Sequence, residues 1–153
     1  MDEEAYRRIY REVNDRQCHY EKAILGTHGS CSRMRKICLA EREAVHCEET
    51  GAHEQCSEYL EALRRATLFA LRTAGEGSRL PHAKAIRLQV GGLRGLHRAL
   101  HPDTPLPEPI PNIHGLLEEA RERWGGFGEL PWTEIVQAVA AWEGRRPKRR
   151  RKR

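Results

Sequence analysis

All five cysteines of this chain, Cys18, Cys31, Cys38, Cys47 and Cys56, fall within residues 18 to 56, and four of its eight histidines (His19, His28, His46, His53) share that stretch. The remaining two thirds of the 153 residues add no thiol. A chain of this length buries one real core. Whatever frame it builds must therefore bring a crowded sulfur segment against a single apolar interior. The first residues, MDEEAYRRIY, lack the apolar core of a secretory signal, and no run approaches the roughly 20 apolar residues of a membrane span. A cytoplasmic chain is expected, nuclear if its cell has a nucleus, with no membrane partner. In such a compartment thiols stay reduced, so ligand chemistry outranks a disulfide framework.

Helix formers dominate, and charged residues reach 32% against 39% apolar. The fold class expected is all-α: an antiparallel three-helix bundle with a C-terminal helical hairpin and a disordered basic tail. The first helix is read over residues 3 to 25, from the apolar spacing of Tyr6, Ile9, Tyr10, Val13, Tyr20 and Ile24, with Gly26 ending it. Ser30 is a candidate cap for a second helix from Cys31 to His46. A third covers His53 to Thr73. These form a cysteine-bearing unit over residues 1–75.

Residues 76–111 are read as an irregular segment and Pro-rich linker. Ile86, Leu88 and Val90 alternate like a strand, while Ile86, Val90, Leu93, Leu96 and Leu100 fit a helix. Gly91 and Gly92 cost a helix about 2 kcal/mol relative to alanine, which favours a break. A phosphate loop at Gly91 to Gly95 lacks the full glycine pattern and a βαβ setting. Pro102, Pro105, Pro107, Pro109 and Pro111 then impose extended chain. Residues 112–144 are read as the helical hairpin: Asn112 as cap, a helix to Trp124, a glycine turn, and a helix after Pro131 that carries Trp142.

Thiolates are soft ligands, and four are the usual complement for zinc or an iron–sulfur cluster. The gaps here contain no CxxC knuckle. A [4Fe–4S] cluster, which accepts ligands from widely separated backbone positions, is therefore preferred, with zinc second. Cys38 sits in an apolar stripe with Ile37 and Leu39 and reads as a core residue. The ligand set is Cys18, Cys31, Cys47 and Cys56, with Cys38, His46 and His53 in reserve. One objection stands: if Cys31 and Cys47 end a single straight helix, they lie about 24 Å apart. Either that helix is broken or Cys38 replaces one of them.

No catalytic constellation emerges. Glu43 and His46 supply one Glu-x-x-His motif where a di-iron bundle needs two, and neighbouring Cys and His on a helix diverge by about 100°. The function read from the sequence is a small cluster-binding protein serving as an accessory, electron-transfer or sensing factor.

The charge is divided. Residues 145–153 (Arg145, Arg146, Lys148, Arg149, Arg150, Arg151, Lys152, Arg153 around Pro147) hold eight of the 27 basic side chains, leaving 19 against 22 acids. These eight are the candidate contacts to nucleic acid or another polyanion. The alternative reading is a metal-free helical adaptor that binds nucleic acid through this tail, or a protein partner through the hairpin bearing Trp124 and Trp142.

Overall fold

A computed structural model describes residues 2–73 and 82–143 of the chain. Six helices and one two-stranded antiparallel sheet follow in the order α1 (Glu3–Val13), α2 (Glu21–Leu25), β1 (Met34–Leu39), β2 (Arg42–Cys47), α3 (Thr50–Thr73), α4 (His82–Leu100), α5 (Ile113–Trp124) and α6 (Trp132–Ala141). The expectation of an all-α bundle is corrected: the stretch read as its second helix is a β-hairpin. Leu39 pairs with Arg42 across a two-residue turn, and Met34 pairs with Cys47 at the open end. Both turn residues have left-handed backbone, Ala40 at φ 50° and Glu41 at φ 68°. This is the geometry that suits a two-residue hairpin, though the usual Asn or Gly is missing.

The first expected helix also divides. Asp2 caps α1 by accepting the Ala5 N–H at 2.7 Å, which satisfies one orphan donor of its first turn. The helix ends at Asn14, whose side chain turns inward to donate to Val45 O at 3.0 Å. Residues 16 to 18 then run beside β2: the Cys18 N–H bonds Val45 O and the Cys47 N–H bonds Arg16 O, both at 2.9 Å. Thr27, not Gly26, carries the positive φ after α2.

The core joins helices α3 to α6, with Tyr59, Leu63, Leu93, Leu96, Ile113, Leu117 and Ile135 fully buried. Helix α4 runs unbroken through Gly91 and Gly92, where the sequence favours a break. The reason is close packing against α6. A Cβ at Gly91 would lie 2.6 Å from Val139 Cα, and one at Gly95 would lie 2.9 Å from Ile135 Cα. Glycine lets the two backbones approach, and the buried area offsets its propensity cost. The main contacts of α6 and α5 are with α4 and α3. Among the described residues no helix is long and apolar enough to cross a membrane.

The proline segment is structural. Ile110 is buried and bridges in parallel to Gly29: Ser30 N–H donates to Ile110 O at 2.8 Å, and Ile110 N–H donates to His28 O at 3.1 Å. Asn112 makes no side-chain cap to α5. Its Oδ1 accepts the Ser32 N–H at 3.0 Å instead. Ser30 likewise caps nothing and accepts the Ile113 N–H at 2.8 Å.

Candidate functional site

One cavity is lined by Cys18, Cys31, Cys47 and Cys56, together with His19, Tyr20, Met34 and Ile113 among others. It is small, with about 20 Å³ of space for a water-sized molecule, and is partly open to solvent. Each sulfur arrives on a different piece of backbone. Cys18 comes from the extended run beside β2, and Cys31 from the loop clamped by Ile110 and Ile113. Cys47 ends β2, and Cys56 lies in the second turn of α3. The hairpin removes the distance objection: opposite Met34, Cys47 returns to the end of the sheet where the Cys31 loop begins. All five cysteines are free, and the reading of Cys38 as a core residue is corrected: it is exposed, on β1, whose alternating faces turn it to solvent, and it does not line this cavity.

Backbone donors already face two of the sulfurs. The Tyr20 N–H points at Cys18 Sγ and the Arg33 N–H at Cys31 Sγ, each at 3.4 Å. The Cys47 thiol donates to Glu49 O at 3.3 Å. Burial pushes the Cys18 thiol up to about 12, opposed by the Tyr20 N–H and reinforced by Cys31 and Cys47. Burial likewise raises Cys47. It raises Cys56 well above the ordinary thiol range, with Cys18, Cys31 and Cys47 adding to the effect. Empty of a ligand, these are protonated thiols and poor nucleophiles.

A carboxylate and an amide fasten the sulfur-bearing run to the sheet. Glu21 accepts from the Val45 N–H at 2.8 Å and from the Gln17 side chain at 3.1 Å, and also from the Tyr10 hydroxyl. Burial and this carboxylate raise the Tyr10 pKa. His46, a reserve ligand, does not line the cavity; its Nδ1 lies 2.9 Å from Asn14 Oδ1. His53 does line it. It is engaged elsewhere, with Nε2 2.9 Å from Gln17 O and its ring stacked on His19 at 4.1 Å between centroids. Burial, then His53, lowers the His19 pKa. At the rim Arg33 pairs with Glu49 at 2.6 Å, and Arg16 donates to Cys47 O at 3.3 Å.

Among the described residues no group of three or more His, Cys, Asp or Glu is arranged to hold a metal ion. This corrects the expectation of a ready-made metal-binding group. The eight basic residues proposed to touch polyanions, Arg145 to Arg153, lie outside the described residues. Tyr20, His19 and Arg33 were not foreseen at the site. Tyr20 sits two residues after Cys18, but its helical spacing with Ile24 disguised it as ordinary core. No protein family, curated protein or solved structure was found to match the chain.

Proposed function

We infer that this protein carries a [4Fe–4S] cluster on Cys18, Cys31, Cys47 and Cys56 and works as an electron-transfer, sensing or accessory factor. The observation that carries this reading is the convergence of those four thiols, from four separate segments, on one apolar cavity that excludes Cys38. The donor set fits the group. Four soft sulfurs are the usual complement of a cubane cluster. N–H groups aimed at Cys18 and Cys31 are the hydrogen bonds that stabilise charged cysteinate sulfur. When bound, the cluster would supply one-electron chemistry. The chain's own part is to bind it, to hold donors at its sulfurs, and to exclude water with Ala52, Met34 and Ile113.

Anaerobic purification tests this directly. Stoichiometric iron and acid-labile sulfide, with broad visible absorption, are expected. A colourless protein that lacks both after reconstitution overturns the reading.

The basic tail adds sequence-independent affinity for nucleic acid or another polyanion. Without it, the chain's 19 basic and 22 acidic side chains give an average charge that repels phosphate. Eight contacts to duplex DNA would give a log–log salt slope of roughly −7, and partial engagement a shallower one. Truncation after Gly144 should abolish binding at low salt in an anisotropy assay without lowering the melting temperature. Undiminished binding would move the polyanion site into the folded body.

A further inference from the structure

Residues 62, 65, 66 and 69 share one face of α3, and residues 132, 133, 136 and 137 share one face of α6. Between them lies a groove, open to solvent, with about 630 Å³ of room for water-sized molecules, a size typical of ligand clefts. Both phenylalanines of the chain, Phe69 and Phe127, line it together with Trp132. The buried Tyr59 backs two of these rings: Phe127 lies edge-on to it at 5.5 Å between centroids, and Trp132 stacks on it at 5.9 Å. Phe69 is 78% exposed. Aromatic surface gathered in one open concavity marks a binding site. Arg65 is the one charged residue among the described residues that line the groove, and Thr133 and Gln137 add polar groups. Flat rings beside a guanidinium, with no acid on the walls, suit an occupant that is aromatic and anionic.

We propose that this groove stacks unpaired bases of a single-stranded nucleic acid whose phosphates are held by the basic residues that follow α6. This rests on the polyanion reading of residues 145–153 above, and is independent of the sulfur cavity. Helix α6 has ten residues and is about 15 Å long, while the nine residues 145–153 span at most about 32 Å. A strand engaged by those cations is therefore within reach of the groove, which lies toward the other end of the helix. Exposed Arg65, 3.5 Å from Glu61, adds a cation beside the rings. Every base has a π-face, so stacking on aromatic side chains tolerates any sequence. Bases of a duplex are already stacked on one another and do not enter. The tail thus attracts any polyanion, and the groove confers preference for single strands.

The test measures anisotropy of a labelled oligothymidylate and of a labelled duplex of equal length, with the full chain and with Phe69→Ala. The variant should bind the single strand at least about fivefold more weakly and the duplex as wild type does. Its log–log salt slope should not change, because no charge is lost. Phe69→Tyr, which keeps a flat ring, should restore the affinity, and Phe69→Leu, which keeps only apolar bulk, should not. Should Phe69→Ala fail to fold, the Tyr and Leu variants carry the comparison under the same outcomes. Single-strand affinity unchanged in Phe69→Ala overturns the inference, as does an equal loss on both ligands. Full affinity in Phe69→Leu also overturns it, and makes the groove a seat for a protein partner's apolar side chains. Each of these leaves the reading of the tail standing. A wild-type chain that binds neither oligonucleotide at low salt overturns both.

Discussion

Between Asn14 and Cys47 the chain is held by hydrogen bonds threaded through polar side chains. From Thr50 to Ala141 it is held by apolar contact between helices that glycine brings close. In the first region Asn14 and Glu21 tie the backbone of β2 to the preceding run, and the hairpin turns on two residues with left-handed φ. In the second, Leu63, Leu93, Leu117 and Ile135 interlock, and Gly91 and Gly95 admit α6. Three of the four converging cysteines belong to the polar region and one, Cys56, to the helical one. The cavity therefore lies where the two regions meet.

The strongest test of that contrast is removal of one sulfur. Serine at any of Cys18, Cys31, Cys47 or Cys56 should lower bound iron by more than the roughly 10- to 100-fold that altering an outer partner of a metal ligand costs. Cys38→Ser should leave it unchanged, and iron analysis of the five variants decides the matter. Hydrogen exchange on the four site variants should quicken in residues 14 to 47 and stay slow in α3 to α6.

Alkaline pH should loosen the polar region of the ligand-free protein. Burial holds Cys18 at about 12 and raises Cys47 and Cys56 as well. The unfolded chain gives up these protons near pH 8.5. The fold favours the protonated thiol, so this stability is fully present below about pH 8 and is lost as pH climbs toward about 12. Melting temperatures of wild type should fall across that window, and those of Cys18→Ala should fall less.

In the helical region Gly91→Ala should cost about 1–3 kcal/mol from overpacking against the Val139 backbone, less about 1 kcal/mol regained in helix propensity. Gly92→Ala should cost less than Gly91→Ala, because its nearest obstacle is the tip of Leu63, which can rotate away. Urea melts of the pair measure the difference. The smallest effect belongs to the hairpin. Replacing Ala40 by Asn and Glu41 by Gly should stabilise the protein by about 1 kcal/mol, since both positions then hold residues that tolerate positive φ. A lower urea midpoint for that double variant would show that the turn residues are fixed by something other than their backbone.

How far these features could be read from the sequence follows from where each is encoded. The turn and polar neighbours of Cys18, Cys31, Cys47 and Cys56 set them apart from Cys38, and these four are the cysteines that share the cavity. The limits of α5 and α6 were marked by Asn112, Gly125 and Pro131. The hairpin was not legible: Ala40 and Glu41 give no turn signal, and Lys36, Glu43 and Ala44 are helix formers placed in strands by tertiary context. Gly91 and Gly92 read as breakers because what packs on them, α6 and Leu63 of α3, lies far from them in the sequence. Tyr20 could not be separated from core, since only its unpaired hydroxyl distinguishes it.

The clamp on the Cys31 loop also sets an order of events during synthesis. Ser30 and Ser32 are fixed by Ile110, Asn112 and Ile113, and Ile113 forms part of the cavity wall. All four cysteines have left the ribosome long before those residues appear, and during that interval the Cys31 loop has nothing to rest against. The thiols of the nascent chain are thus accessible at a stage when the finished cavity does not exist.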